Sequence, residues 1–289
     1  MDREVINVNC VYGEEHVAFL KKILIPSLSL GSEKRICFHI MNYAHGSQPL
    51  FCNEAIENID IIEHFHDSTS NLGFAACHNL LAKDITSDYF IILNPDCIMQ
   101  KGAIDTLIKT FLKAPEQIGI VEGRQWPFEH PKEYDPETLE TPWASGAFAL
   151  INTNQYNQIG GMDERYFLYL EDVDLSWRMW LSGTSVLYEP SAFVAHFSNG
   201  GFYRDDLVEN EKYYSVRNFV LISRKFFGKK GENKAWKILA LFADQEIVSE
   251  ARKDLEENFQ DFQYEIFEGV DKSPHIKILG VNQFHELMK

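Results

Sequence analysis

The segment Tyr89-Phe90-Ile91-Ile92-Leu93-Asn94-Pro95-Asp96 carries two signals in eight residues. Tyr89 to Leu93 is short, apolar throughout and bounded by a turn. That pattern suits a β-strand covered on both faces, as strands of α/β sheets are. The strand runs straight into two oxygen-bearing side chains, Asn94 and Asp96, around a proline that stiffens the turn. In α/β sheets ligands bind at the carboxyl ends of the strands. Hard oxygen donors at such a place suit Mg²⁺ or Mn²⁺, which bridge phosphates. Asn-Pro-Asp is also a common turn sequence, so taken alone the triplet is first of all a turn.

Working outward, Val5 to Val11 reads as a strand, and Glu14 to Leu24 has helical spacing and runs into Pro26. Arg35 to Met41 is a second strand, closed by the turn-forming Asn42 to Gly46, and Ile59 to Phe65 is a third. Gly73 to Lys83 is helical, Ala103 to Lys113 is helical and stopped by Pro115, and Ile118 to Glu122 is a further strand. This alternation predicts an α/β fold with a mixed, Rossmann-like sheet flanked by helices. Gln125 to Pro142, rich in Pro, Glu and His, reads as a surface loop. Ala144 to Asn152 is a strand, Asp172 to Leu181 a helix, and Ser185 to Tyr188 and Ala192 to Phe197 are short strands. A long helix or helix pair is expected from about Asp205 to Phe227, and helical stretches such as Ser249 to Phe259 follow. The expected organisation is a main α/β domain over 1–228 and a mainly helical extension over 229–289.

The 289 residues carry a formal net charge of −16, from 43 acidic and 27 basic side chains. A broad nucleic-acid footprint needs surplus positive charge, so no nucleic-acid partner is expected. A small nucleotide remains compatible, because its phosphates need only a metal ion or a few local cations. Five scattered cysteines without a CxxC pair suggest reduced thiols and a cytoplasmic setting. The charged start, Met1-Asp2-Arg3-Glu4, shows no signal peptide, and no run approaches the ~18 apolar residues of a membrane span.

A second group lies at Asp163, Glu164, Glu171, Asp172 and Asp174, five carboxylates within twelve residues. Tyr166, Phe167, Leu168, Tyr169 and Leu170 stand between them, which a solvated acidic face would not carry. Carboxylates half-buried beside an aromatic wall are candidates for a general base, since desolvation raises their basicity. Acidic residues are also favoured in a first helical turn, and Asp174 is placed to pair with Arg178 at i+4. His196 ends an apolar run ahead of Ser198-Asn199-Gly200-Gly201, a position compatible with a site at the strand ends and equally with a core or loop residue.

In this order the pieces resemble the family 2 glycosyltransferases of the GT-A fold, rhamnosyltransferase-like members especially. The matching text is Asn71-Leu72-Gly73-Phe74-Ala75 with Asn79, Leu93-Asn94-Pro95-Asp96, Ser145-Gly146-Ala147-Phe148, Gly160-Gly161-Met162-Asp163-Glu164 and Phe167 through Arg178. Gly183, Pro190, His196 and Arg217-Asn218 follow. The resemblance covers residues 70 to 228. It implies an inverting transferase that uses a nucleotide-diphosphate sugar and a divalent metal, Mn²⁺ or Mg²⁺. It places Asp172 as general base with Glu171 beside it, and Asp96 and His196 as metal holders. Asn71, Gly73, Phe74, Asn79, Asn94 and Asn42 fall in the donor-binding segments, and Asp163 and Glu164 near the acceptor. The implied partners are a nucleotide sugar and a saccharide or lipid-linked acceptor, in polysaccharide or glycan synthesis.

The chain departs from the family at the turn Asn9 to Glu15, at Ala76-Cys77-His78 and at two places nearer the chemistry. Asn94 stands for the first aspartate of a DxD-type motif, and Asn42-Tyr43 stands where an aspartate-asparagine pair usually reads the base. After His196, aromatic Phe202, Tyr203, Tyr213, Tyr214, Phe219, Phe226 and Phe227 mix with Arg217, Arg224, Lys225, Lys229 and Lys230. That stretch reads first as a helix packed on the catalytic domain, and second as a basic-aromatic face for peripheral contact with the inner side of a membrane. Two other classes compete with this reading: a sugar nucleotidylyltransferase, which would want a basic, glycine-rich phosphate loop that Cys10 to Glu15 lacks, and a non-catalytic nucleotide-sugar-binding protein.

Overall fold

The computed structural model describes residues 5–44, 50–51, 56, 58–127, 133–197, 209–259 and 267–278. Its strands are β1 (Val5–Tyr12), β2 (Arg35–Asn42), β3 (Ile59–His64), β4 (Tyr89–Leu93), β5 (Cys97–Met99), β6 (Ile118–Trp126), β7 (Phe148–Asn152) and β8 (Ser185–His196). They form one mixed sheet in the order β3-β2-β1-β4-β7-β6-β8-β5. The first four neighbours run parallel, while β7 and β5 run against the strands beside them. The helices are α1 (Val17–Phe19), α2 (Ile25–Gly31), α3 (Gly73–Ala82), α4 (Ala103–Phe111), α5 (Thr153–Gln158), α6 (Glu171–Leu181), α7 (Glu209–Phe242) and α8 (Gln245–Asn258).

The apolar run of β4 serves two cores at once. Tyr89, Ile91 and Leu93 join the core that packs Leu24 and Leu28 with Ile104, Leu107 and Phe111 of α4. Phe90 and Ile92 join the other, with Ala75 and Ala82 of α3 and Leu175 and Met179 of α6. Alternation therefore persists in space, hidden in sequence because both faces are covered. A further core joins Trp143, Tyr166, Leu170 and Trp177 to Val216, Val220 and Leu239 of α7 and Ala251 and Leu255 of α8. Among the described residues, no helix is long and apolar enough to cross a membrane.

Several boundaries differ from the sequence expectation. Helical structure does not end at Pro26: a π-helical stretch over Leu20–Leu24 leads into α2, where Pro26 lies in the first turn and needs no N–H. β6 continues through Gln125 to Trp126, into the stretch expected to be loop. Ser185 to His196 is one strand, not two. Opposite β6, Gly123 pairs with Glu189 but Arg124 pairs with Phe193, so residues 190–192 bulge out of the ladder. Pro190 is tolerated there because no ladder N–H is required of it. The long helix runs past Gly228, which breaks it at φ 61 and ψ −156. Asp205, Phe202, Tyr203 and the glycine turn after His196 lie outside the described residues.

Candidate functional site

The turn Asn94-Pro95-Asp96 connects β4 to β5 at the carboxyl end of β4. The Asn94 N–H donates to the Ala147 carbonyl at 2.9 Å, and the Phe197 N–H donates to the Asp96 carbonyl at 2.9 Å. These bonds fix the turn against β7 on one side and β8 on the other. Asp96 is 7% exposed. Its Oδ1 lies 3.1 Å from His196 Nε2. His196 Nδ1 lies 2.8 Å from Oε1 of Gln125 on β6. An amide oxygen only accepts, so Nδ1 donates to it, and Nε2 is the ring nitrogen left facing Asp96. Asn94 Nδ2 approaches that nitrogen at 3.3 Å. At this separation the Asp96 carboxylate and Nε2 can share either a proton or a metal cation. The donor set, carboxylate oxygen and imidazole nitrogen with an amide orienting the ring, fits a divalent metal ion.

Asp172 sits in the first turn of α6. Its Oδ2 accepts from the Gly146 N–H at 3.2 Å and its Oδ1 from the Val173 N–H at 2.8 Å. Gly146 and Ala147 therefore span the site: one backbone group holds Asp172, the next holds Asn94. Ser176 Oγ donates to the Asp172 carbonyl at 2.7 Å and accepts from the Ala144 N–H at 3.0 Å, fixing α6 against the same segment. Burial, and then the charge of the adjacent Asp172, push the Glu171 carboxyl well above the usual carboxylate range.

Ahead of α6, Tyr169 and Leu170 both adopt left-handed backbone, at φ 69 and φ 71. A side chain from α7 supports this costly turn: Asn218 Nδ2 donates to the carbonyls of Leu168 at 2.8 Å and Tyr169 at 2.7 Å. The neighbouring Arg217 donates to the Arg165 carbonyl at 2.8 Å. Lys225, with a side chain 3% exposed, stands 2.7 Å from both Asp163 Oδ2 and Asp174 Oδ2. Asp174 also takes Arg178 at 2.6 Å, the i+4 pair expected from sequence. Burial alone would raise the Asp163 carboxyl, but bonds from Arg165 and the charge of Lys225 outweigh it and hold it well below the usual range.

The segment assigned to the donor splits in two. Asn71 Oδ1 accepts from the Gly73 N–H at 2.8 Å, and the Phe74 N–H donates to the Phe167 carbonyl at 2.9 Å. Gly73 has φ +77, and a Cβ there would lie 2.4 Å from the Phe167 carbonyl oxygen, so only glycine fits. A Cβ on Gly146 would lie 3.1 Å from the Phe74 ring, which places Phe74 beside the Asp172 segment. Asn79, by contrast, is occupied by α5 and the 160–164 loop: Tyr156 OH at 2.5 Å, Met162 N and O at 2.9 Å and Glu164 Oε1 at 2.9 Å. Asn42 is buried and its Oδ1 accepts from the Ala44 N–H at 2.8 Å.

The structure thus brings Asn94, Asp96 and His196 together and ties them to Asp172 and Phe74 through Gly146-Ala147, whereas Asp163 and Glu164 are bound to Lys225 and Asn79. Sequence reasoning missed Gln125 and the supporting contacts of Asn218 and Lys225. Of the basic-aromatic group, Arg217, Phe219, Lys225 and Phe226 are buried, as helix packing requires.

No protein-family profile matches the chain. Over 218 residues it is 24% identical to the N-acetylglucosaminyl-diphospho-decaprenol L-rhamnosyltransferase of Mycobacterium tuberculosis (strain CDC 1551 / Oshkosh), covering 60% of this chain and 70% of that one. Over 173 residues it is 25% identical to the rhamnosyltransferase WbbL of Escherichia coli (strain K12), covering 48% of this chain and 66% of that one. Its fold matches a crystal structure of GalNAc-T7 with UDP, GalNAc and Mn²⁺ at TM-score 0.59 and 12% identity, over 91% of this chain and 58% of that one.

Proposed function

We propose that this chain, which has the GT-A glycosyltransferase fold and is rhamnosyltransferase-like in sequence, moves a sugar from a nucleotide-diphosphate donor to an acceptor hydroxyl with inversion at the anomeric carbon. One observation carries this reading: Asp172 and the Asp96–His196 pair are held by adjacent backbone groups of Gly146-Ala147. A general base and a diphosphate anchor must sit on opposite sides of one anomeric carbon, at a fixed separation. A rigid strand-end connection between them supplies that fixity.

Asp96 and His196 would hold a divalent ion, which when bound offsets the charge that builds on the departing diphosphate. Asp172 takes the proton from the acceptor hydroxyl as that oxygen attacks the anomeric carbon. The bond to the diphosphate oxygen breaks, and its electron pair leaves with the nucleotide. Burial raises the Glu171 carboxyl and so disfavours a second charge beside the base. Asn71, Gly73, Phe74 and Asn42 would line the nucleotide. The tight binding of Asn79 to the 160–164 loop favours a role in shaping the acceptor side, with Asp163 and Glu164. The names of both relatives favour a rhamnosyl donor, and the mycobacterial one a lipid-linked acceptor in glycan synthesis.

A thermal-shift screen of UDP-, GDP- and dTDP-sugars, each with Mn²⁺ and with EDTA, tests the reading. A metal-dependent rise for one nucleotide class supports it and names the donor. The absence of a shift with every donor would move the protein out of the transferase class.

A further inference from the structure

The cluster at the β4–β5 turn contains a donor of a different kind. Cys97 stands directly opposite His196 in the antiparallel β5–β8 pair, so both side chains leave the ladder on the same face. One ligand atom from each of Asp96, Cys97 and His196 lies within 4.8 Å of the other two. Ligand atoms about 2.0 to 2.3 Å from one tetrahedral metal ion sit roughly 3.3 to 3.8 Å from each other. The three atoms can close on a single ion by side-chain movements of up to about an ångström. The Cys97 thiol makes a weak bond, 3.8 Å to the Ala147 carbonyl oxygen, which a metal–sulfur bond would readily replace. Mg²⁺ and Mn²⁺ have little use for sulfur, whereas Zn²⁺ and Co²⁺ accept an oxygen, nitrogen and sulfur set.

We propose that Cys97 is a third protein ligand of this site for a thiophilic divalent ion, Zn²⁺ or Co²⁺, joining Asp96 and His196. The proposal rests on the assignment of Asp96 and His196 as metal holders. On coordination the S–H bond breaks heterolytically: sulfur keeps the electron pair and donates it to the metal, and the proton passes to solvent. No oxidant or reductant is involved. The site then distinguishes two classes of ion, hard ions held without the sulfur and thiophilic ions held with it. Zn²⁺ is expected to displace Mn²⁺ and to be difficult to wash out.

The test is cobalt absorption spectroscopy on the metal-free, full-length protein. Wild type with Co²⁺ should show visible d–d bands and a near-ultraviolet thiolate-to-cobalt band. Cys97→Ser should lose the thiolate band, keep the d–d bands and bind Zn²⁺ at least about tenfold more weakly. Its Mn²⁺ affinity, read from free Mn²⁺ by electron paramagnetic resonance, should be unchanged. Cys97→Ala serves as the second variant in case serine perturbs the buried site, and Cys10→Ser should retain the band. Cobalt bound with d–d bands but no thiolate band in wild type would overturn the Cys97 assignment and leave the metal site standing. A thiolate band that survives both Cys97 variants would overturn it too. Failure of wild type to bind Co²⁺ would overturn both this proposal and the assignment of Asp96 and His196.

Discussion

The Asp96 carboxylate meets the His196 imidazole at 3.1 Å, across the point where β8 reaches the turn that follows β4. The two residues are about a hundred positions apart in the chain, and the ring is oriented from a third element by Gln125. The orientation matters as much as the pair, because it decides which nitrogen faces the carboxylate. Gln125→Leu removes that support without touching either ligand. We expect Mn²⁺ affinity to fall about tenfold, in line with other losses of an outer-shell partner, while the circular dichroism spectrum stays native. An unchanged Mn²⁺ titration would show that His196 does not need Gln125.

Asp172→Asn keeps the size of the side chain and removes the base. Turnover should fall by about 10²–10⁴-fold, and donor affinity measured by calorimetry should stay within about twofold of wild type. If donor affinity falls as steeply as turnover, Asp172 is holding the donor instead.

Lys225 is buried between Asp163 and Asp174. Lys225→Met fills the same space and leaves both carboxylates with their arginine partners alone, Arg165 and Arg178. Breaking one partner of a buried ionic cluster costs about 3–5 kcal/mol, and the remaining arginines favour the low end of that range. Urea denaturation should show the loss as a lower midpoint at unchanged slope. A variant as stable as wild type would mean that α7 does not hold the 163–174 segment through this lysine.

His78 is wholly buried on α3, and burial pushes its imidazole from the usual 6.5 down to about 3. Between those values the unfolded chain carries a proton that the folded chain refuses, so stability rises with pH. It is therefore fully present above about pH 6.5 and is lost as pH falls toward 3, by about 1.4 kcal/mol per pH unit for this one proton. His39, lowered to about 4 by burial and His64, acts in the same direction. His78→Gln should flatten the acid limb of the stability curve by one proton, measured by urea midpoints between pH 6.5 and 4.5. A slope equal to that of wild type would show that His78 is protonated in the native state.

Much of the fold was legible because local pattern and tertiary role agree. The apolar run of β4, the strand-helix alternation around it and the Asn94-Pro95-Asp96 turn all follow from which faces are covered. The missing parts are those where long-range pairing decides. Cys97-Ile98-Met99 is too short to announce itself, and becomes a strand because β8 lies beside it. Gln125 is the penultimate residue of β6, and it falls in the stretch from Gln125 to Pro142 that reads as loop. Pro190 looked like a strand end, but the bulge at 190–192 carries β8 past it. Asn218 was visible as part of an Arg-Asn pair, yet its purpose depends on two left-handed residues fifty positions away, which no local signal shows.

The most direct test is nucleotide release from the donor identified by thermal shift, measured with acceptor present for wild type, Asp96→Ala and Asp172→Asn. Wild type should release nucleoside diphosphate only with a divalent ion, Asp96→Ala should lose the metal-dependent donor complex, and Asp172→Asn should bind donor but not turn it over. Release by wild type in EDTA at the same rate as with Mn²⁺, or full activity in either variant, would contradict the account.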